Sequence, residues 1–393
     1  MTRSIAIAGC GVAGLACASL IAREGDRVTV FDRLDAPQPL GSGLILQPVG
    51  LAVLDATGVG KRIRELGAPI RRLFGRVQPS GRVVLDVTYG PGGAEGLAVH
   101  RGALFEVLLD EAKAAGVEIV TAHEVAGASY GRLEFSGGKT SAKFDLVIDA
   151  LGVRSLLARA KPIPPLPFGA LWASLDWCGP FDPNALEQRY ERASKMVGVL
   201  PIGRRPGATQ DQAAFFWSLK HADHAAWLAT DLDQWKDEVL KLWPETAPLV
   251  EQIRRREQLV FASYAHGTLR SPLGRHVVHV GDSWHCASPQ LGQGANMALL
   301  DALALSRALA AHSAPQDAVM AYARARLFHI RLYQLASWMF TPAYQSDSAA
   351  IAWVRDWVMA PVSRVWPTPR ILAALVAGAI GSPLSAIEAI RDG

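Results

Sequence analysis

The chain has 393 residues, half of them hydrophobic and 19% charged, with a mean hydropathy of +0.15. A chain so long and apolar buries a sizeable core, which excludes disorder as its main state, and its length suits two or three domains. Its formal charge of +4 comes without a Lys/Arg block that would track phosphates: the tightest cluster, residues 254–256, runs into Glu257 and reads as a solvated helix face, against nucleic-acid binding.

In chain order, residues 4–8 form a short apolar run, followed by glycines, a helical stretch over 12–23 and a second run over 28–32. Strand, turn, helix, strand is the unit of a parallel sheet with a right-handed crossover. Strands resume at 117–121 and at 144–149, the latter almost continuously apolar, as a strand buried on both faces should be. Four prolines between 162 and 167 mark a domain crossing. Beyond them, residues 169–177 and 213–219 are β-like and aromatic-rich, and 231–242 is helical, which together predict an α+β domain. A buried strand at 276–280 then ends in Gly281-Asp282, before a glycine-rich turn and a long helix over 294–311. The first sheet unit thus returns after an excursion. The tail is helical, with Ile351, Val354 and Trp357 at helical spacing, broken by Pro361, Pro367 and Pro369. The expected division is 1–161 and 266–315 for a discontinuous α/β domain, 162–265 for the inserted domain, and 316–393 for C-terminal helices.

Cys10, Cys17, Cys178 and Cys286 stand far apart with no CxxC pair, so no zinc site or disulfide framework is expected. The opening residues leave no room for a signal peptide, and the longest late apolar run, 371–380, is too short to span a bilayer. These features predict a cytoplasmic protein without a transmembrane segment. His221 and His224 lack a carboxylate or cysteine at ligand spacing, so no metal is expected.

Gly9, Gly11 and Gly14 form a GxGxxG placed after a strand and at the opening of a helix. The first glycine makes the tight turn, the second admits a pyrophosphate to the backbone, and the third lets helix and strand pack closely. Ala13 sits within the turn. Asp32 ends the next strand about twenty residues on, as an acceptor for ribose hydroxyls would, and Arg33 beside it is a further candidate contact.

A second constellation separates the nucleotides. The stretch 276–296, with Asp282, His285, Pro289, Gly292, Gln293, Gly294, Ala295 and Asn296, closely resembles the second FAD fingerprint of the class A flavoprotein monooxygenases, the p-hydroxybenzoate hydroxylase-like enzymes that include ubiquinone-pathway hydroxylases. The resemblance implies a Rossmann-like FAD-binding domain, discontinuous in sequence, with an inserted substrate domain and C-terminal helices. It also implies that Asp282 bonds the ribityl chain or ribose, that Pro289 lies beside the flavin ring, and that Gly292–Asn296 brings helix N-terminal N–H groups to the N1/O2 edge. A helix N-terminus stabilises the negative charge of reduced flavin there.

Further matches extend the likeness. The segment 41–48 resembles the family's run along the isoalloxazine, making Gln47 a flavin-side or substrate-side contact. Arg101 resembles the family's arginine at a helix start, where a cation is disfavoured unless an anion is near. Val125 matches a position whose backbone meets adenine. Tyr333, Thr341 and Gln345 resemble the C-terminal helices of ubiquinone-type members.

The activity so implied is hydroxylation or epoxidation of an aromatic or polycyclic small molecule by O2 through a flavin C4a-hydroperoxide, with NADPH or NADH as reductant. Flavin carries that chemistry, so no side-chain nucleophile is needed and no catalytic base is assigned. Trp172 and Trp217 are candidates for the substrate pocket. One departure stands out. The family's G-A-D-G-x-x-S motif reads Asp149-Ala-Leu151-Gly-Val-Arg-Ser155 here, so Leu151 replaces an aspartate linked to pyridine-nucleotide use. Asp149 is on the same side of the strand and is the candidate substitute. Two rivals follow: a halogenase or other FAD oxidoreductase on the same scaffold, though the GWxWxIP halogenase motif is absent, and a flavin-binding protein without its own NAD(P)H reduction. Oligomeric state is not legible.

Overall fold

A computed structural model of the chain describes residues 2–36, 42–90, 94–274 and 276–390; Gly41, at the start of the isoalloxazine-like segment, lies outside them. Ser4–Ala8 is the middle strand of a five-stranded sheet, flanked on one side by Arg27–Phe31 and Glu118–Val120 and on the other by Leu146–Asp149 and Val278–His279. All four pairings are parallel. Ile5 to Ala8 are fully buried because both faces of the strand are covered: Ile5 and Ile7 pack in the helical core with Leu15 and Leu300, and Ala6 and Ala8 pack with Val125, Leu133 and Phe135 of the hairpin at 125–135. On one face the helix Val12–Arg23 packs between Gly294–Ala311 and Arg101–Ala114. The strand Val278–His279 enters this sheet from far along the chain, so the α/β domain is discontinuous.

The inserted region builds a seven-stranded sheet in the order Val260–Ala262, Phe168–Asp176, Gln212–Lys220, Lys195–Pro201, Ala185–Glu191, Arg72–Val77, Val83–Thr88. The last two strands correct the expected boundary at 161: a hairpin from the first hundred residues crosses to this sheet, Arg72–Val77 pairing parallel to Ala185–Glu191. The close fit is steric, since a Cβ at Gly75 would lie 2.7 Å from the Tyr190 ring. A three-stranded antiparallel sheet, Gly43–Leu46, Gly96–His100 and Ala68–Ile70, bridges the two domains.

Strand alternation splits the large sheet into two faces. Leu171, Phe215 and Trp217 point to one, packing on the helix Leu232–Leu242 through Trp235. That helix starts at Asp231, whose carboxylate accepts the Asp233 and Gln234 amides, a standard N-cap. Trp172, Phe216, Met196 and Leu200 point to the other face, toward the α/β domain. Helices after residue 311 close the open side of that space: Pro315–Tyr344, then Ala349–Val354, a π-helical turn at Arg355–Met359, and Thr368–Val376.

A buried ionic cluster ties the long helices to the second fingerprint. Asp301, on Gly294–Ala311, accepts from Arg326 Nε at 2.8 Å, from the Gly281 amide at 2.8 Å and pairs with His285 Nε2 at 2.6 Å. Burial raises the Asp301 pKa, but the charges and hydrogen bonds of His285 and Arg326 outweigh it, and the net shift is downward. Arg326 passes the chain on to His329, which bonds the Gly378 carbonyl. His285 is therefore a packing and hydrogen-bonding residue, buried away from the cavity described next.

Candidate active site

The three glycines of the first turn differ in what constrains them. Gly9 has φ +107°, and a Cβ there would sit 2.5 Å from the Ala150 carbonyl oxygen. At Gly14 it would sit 2.0 Å from the Gly9 carbonyl oxygen, so this glycine sets helix–strand contact and does not line the cavity. Gly11 has nothing within 4 Å at that position. It is the N-cap of Val12–Arg23, with no side-chain cap, and leaves the first amides of the helix open to an anion. Asp32 accepts the Cys10 amide at 2.8 Å and the Leu34 amide at 3.0 Å, which fixes its carboxylate at the cavity edge beside Arg33. Burial and the Asp32 charge push the Cys10 thiol up to about 12, so it is not a nucleophile.

The second fingerprint meets the first across the same space. Gly281, at φ 61°, turns the chain so that Asp282 faces the cavity. Desolvation raises the Asp282 pKa against the opposing pull of His285 and Arg101, and its carboxylate accepts no hydrogen bond from the described residues. Arg101 opens the helix Arg101–Ala114 at the cavity wall, and its guanidinium has no ion-pair partner among the described residues. An unpaired cation at a helix start and a desolvated carboxylate each lack a counterpart that a bound dinucleotide would supply.

Pro289, Gly292, Gly294 and Ala295 line the cavity, and the helix Gly294–Ala311 points an uncapped N-terminus into it. Two neighbours depart from the expectation. The Asn296 side chain is fully buried: its Oδ1 accepts the Gln47 amide at 2.8 Å, and its Nδ2 donates to the Ile45 and Gly292 carbonyls. Gln293 turns the other way and donates to the Val376 carbonyl at 2.7 Å. Both side chains lock the turn from behind, leaving backbone amides to face a ligand. Gln47 lines the cavity with its Oε1 accepting the Tyr89 hydroxyl at 2.6 Å, a partner the sequence did not suggest. Val125 lines the far end, next to His123 and Glu124.

Trp172 and Trp217 separate. Trp172 is in the cavity wall, donating to the Tyr264 hydroxyl at 2.7 Å and stacked on Phe216 at 4.6 Å. Trp217 is corrected to a core residue: one strand of alternation puts it on the opposite face, against Trp235. Asp149 is corrected too. It is fully buried, accepting from the Leu151 amide at 3.0 Å and the Ser155 hydroxyl at 2.6 Å and bonded to His279 at 2.7 Å, so it does not reach the place of the missing aspartate. Leu151 itself lines the cavity.

The cavity has a volume of about 1220 Å³ and is continuous from the glycine turn to the large sheet. Beyond the second fingerprint its walls are Trp172, Met196, Leu200 and Phe216 from the sheet and Phe340 and Leu372 from the C-terminal helices. Gln345 also lines it, with a buried Oε1 that has no hydrogen-bond partner. No group of residues suited to a metal ion occurs among the described residues.

Two uncapped helix starts, a fixed ribose-type acceptor and a free arginine around one elongated cavity define a dinucleotide-binding oxidoreductase with its substrate chamber attached. The chain matches the FAD binding domain family over residues 2–332 and belongs to the class A FAD-dependent monooxygenases. It is 27% identical over 379 residues to 2-heptyl-3-hydroxy-4(1H)-quinolone synthase of Pseudomonas aeruginosa, covering 90% of this chain and 92% of that one. It is 28% identical to 3-amino-4-hydroxybenzoate 2-monooxygenase of Streptomyces cremeus, covering 82% and 83%. The solved structure of tetrameric 2-methyl-3-hydroxypyridine-5-carboxylic acid oxygenase has the same fold, with a TM-score of 0.79 at 22% identity over 98% of both chains. The protein is an FAD-dependent monooxygenase.

Proposed function

We propose that this enzyme hydroxylates or epoxidises an apolar aromatic or polycyclic small molecule with O2, using NADPH or NADH as reductant. The observation that carries the reading is the continuity of the dinucleotide cradle with a chamber walled by Trp172, Phe216, Met196 and Leu200. The names of the relatives, a quinolone synthase and an aminohydroxybenzoate monooxygenase, point to ring substrates bearing oxygen or nitrogen. Bound FAD supplies the oxygen-activating chemistry. The protein's share is positioning: Trp172 and Phe216 offer flat faces to a ring, and Gln345 Oε1 accepts a proton-bearing substituent. The start of Gly294–Ala311 stabilises negative charge placed against it, and the C-terminal helices exclude water. No acid or base in the apolar chamber is assigned a proton transfer.

Leu151, with Asp149 turned away, favours a second reading of the reductive half-reaction, in which reduced flavin comes from another protein. Anaerobic mixing of the FAD-loaded enzyme with NADPH and then NADH, with a panel of aromatic ligands, separates the two. Bleaching of the wild type supports direct reduction and makes Leu151 a neutral variation. Bleaching by Leu151→Asp alone assigns reduction to an external source. Oxygen consumption without oxygenated product from any aromatic ligand, once the flavin is reduced chemically, would sink the proposed substrate class.

A further inference from the structure

The C-terminal segment that closes the substrate chamber is apolar on its outer side as well. Among the described residues, eight of the eighteen exposed large hydrophobic side chains fall within 353–371. Trp353 is 59% exposed, Trp357 54%, Val365 63%, Trp366 74% and Ile371 52%. Monomeric proteins seldom leave such side chains together in water without a partner. The same segment forms the chamber wall: Met359, Val362, Ser363, Thr368 and Leu372 line the cavity. The exposed patch therefore surrounds the outer end of the chamber.

The charges around the patch select its partner. Between residues 357 and 380 there is no Asp or Glu, and the ionic residues are Arg364 and Arg370, both exposed. Arg82 adds a third cation, its guanidinium 3.6 Å from the centre of the Trp357 ring. The nearby carboxylates are already neutralised, Asp356 by Arg355 and Asp86 by Arg72. A second copy docked on this face about a two-fold axis would bring like cations together. Tryptophans mixed with arginines and aliphatic residues suit the headgroup level of a bilayer, where indole rings settle and cations meet anionic lipid.

We propose that residues 353–371, with Arg82, dock the enzyme on an anionic lipid surface, so that the C-terminal wall of the chamber faces the bilayer and an apolar substrate enters from lipid past that wall. Docking is independent of the assigned activity. Only the entry route rests on the proposed substrate class.

Flotation of the FAD-loaded protein with phosphatidylcholine vesicles, with and without phosphatidylglycerol, tests docking by binding alone. The anionic vesicles are expected to carry the protein, and high salt to release it. Each of Arg364→Ser and Arg370→Ser should weaken binding about fivefold, from roughly 1 kcal/mol per surface cation. Trp366→Ser should weaken it as well, with flavin stoichiometry unchanged as the check on folding. Brominated phosphatidylcholine mixed into the anionic vesicles should quench the wild type's tryptophan fluorescence, a second readout that needs no variant. Absence of flotation and quenching, or binding unaltered in folded variants, overturns the proposal. A concentration-dependent dimer that Trp366→Ser dissociates, without vesicle binding, assigns the patch to a second copy instead and overturns it too.

Discussion

At Asp282 binding and stability are opposed. The carboxyl group is exposed to the open cavity, and the surrounding protein raises its pKa by desolvation. A raised folded-state pKa means that the folded protein favours the protonated form. The group thus imposes no penalty below its unfolded value, about 3.9. The penalty grows as pH rises through the folded value and is complete above it. In the FAD-free protein, Asp282→Asn should therefore raise the melting temperature at neutral pH, and the gain should disappear in acid. The same substitution removes an ionised acceptor from the cofactor site. FAD affinity should fall about 10- to 100-fold, the usual worth of a hydrogen bond to a charged group. Fluorescence titration of the FAD-free protein checks this. An unchanged dissociation constant would remove Asp282 from the proposed contacts.

The helix Gly294–Ala311 illustrates how one element serves two ends. Its first turn faces the cavity, and its middle carries Asp301 in the buried cluster with Arg326, His285 and the Gly281 amide. The cluster holds the turn bearing Asp282 in register with the helix start, so geometry at the cavity depends on ions several residues away. Both members of the Asp301–Arg326 pair are inaccessible to solvent. Removing Arg326 leaves the buried Asp301 carboxylate with only His285 and the Gly281 amide against its charge, which costs more than losing the ion pair together. Arg326→Met is expected to lower unfolding free energy by about 3–5 kcal/mol, read by urea denaturation. Adding Asp301→Leu to it should restore part of that loss. A double variant weaker than the single one by the full cost of a second buried change would argue against the ion-pair account.

On the scale of the whole molecule, the substrate chamber belongs to no single domain. Its floor comes from the FAD-binding domain, one wall from the large sheet, and its roof from helices beyond residue 340. Leu372, on Thr368–Val376, stands where the roof meets the edge strand Val83–Thr88. Leu372→Trp should fill part of the chamber without touching the dinucleotide cradle. The expected result is a KM raised about tenfold or more for bulky substrates, with FAD affinity unchanged, as steady-state kinetics and flavin titration would show. Equal loss of FAD affinity would mean that the roof and the cradle are not separable.

The sequence by itself determined the class of this protein and its cofactor, because the features that carry them are local. A glycine turn between strand and helix, an acid at the end of the next strand, and a second turn running into a helix are each contiguous segments whose backbone geometry follows from residue type. Other features depended on pairings across long stretches of chain, and only the tertiary structure decided them. The hairpin at 72–88 falls inside the stretch assigned to the α/β domain, and only its pairing with a strand more than a hundred residues on moves it to the large sheet. Alternation groups Trp217 with Phe215 and Trp172 with Ala170, but not which group faces the cavity; the helix docked on one side settles that. Asn296 lies inside the fingerprint, yet its side chain is taken up by Gln47 and Ile45, some 250 residues earlier. Likewise Asp149, one pleat from the missing aspartate, is drawn into the core by His279 and Ser155, because a buried carboxylate goes where hydrogen-bond donors converge, and that convergence exists only in the folded chain.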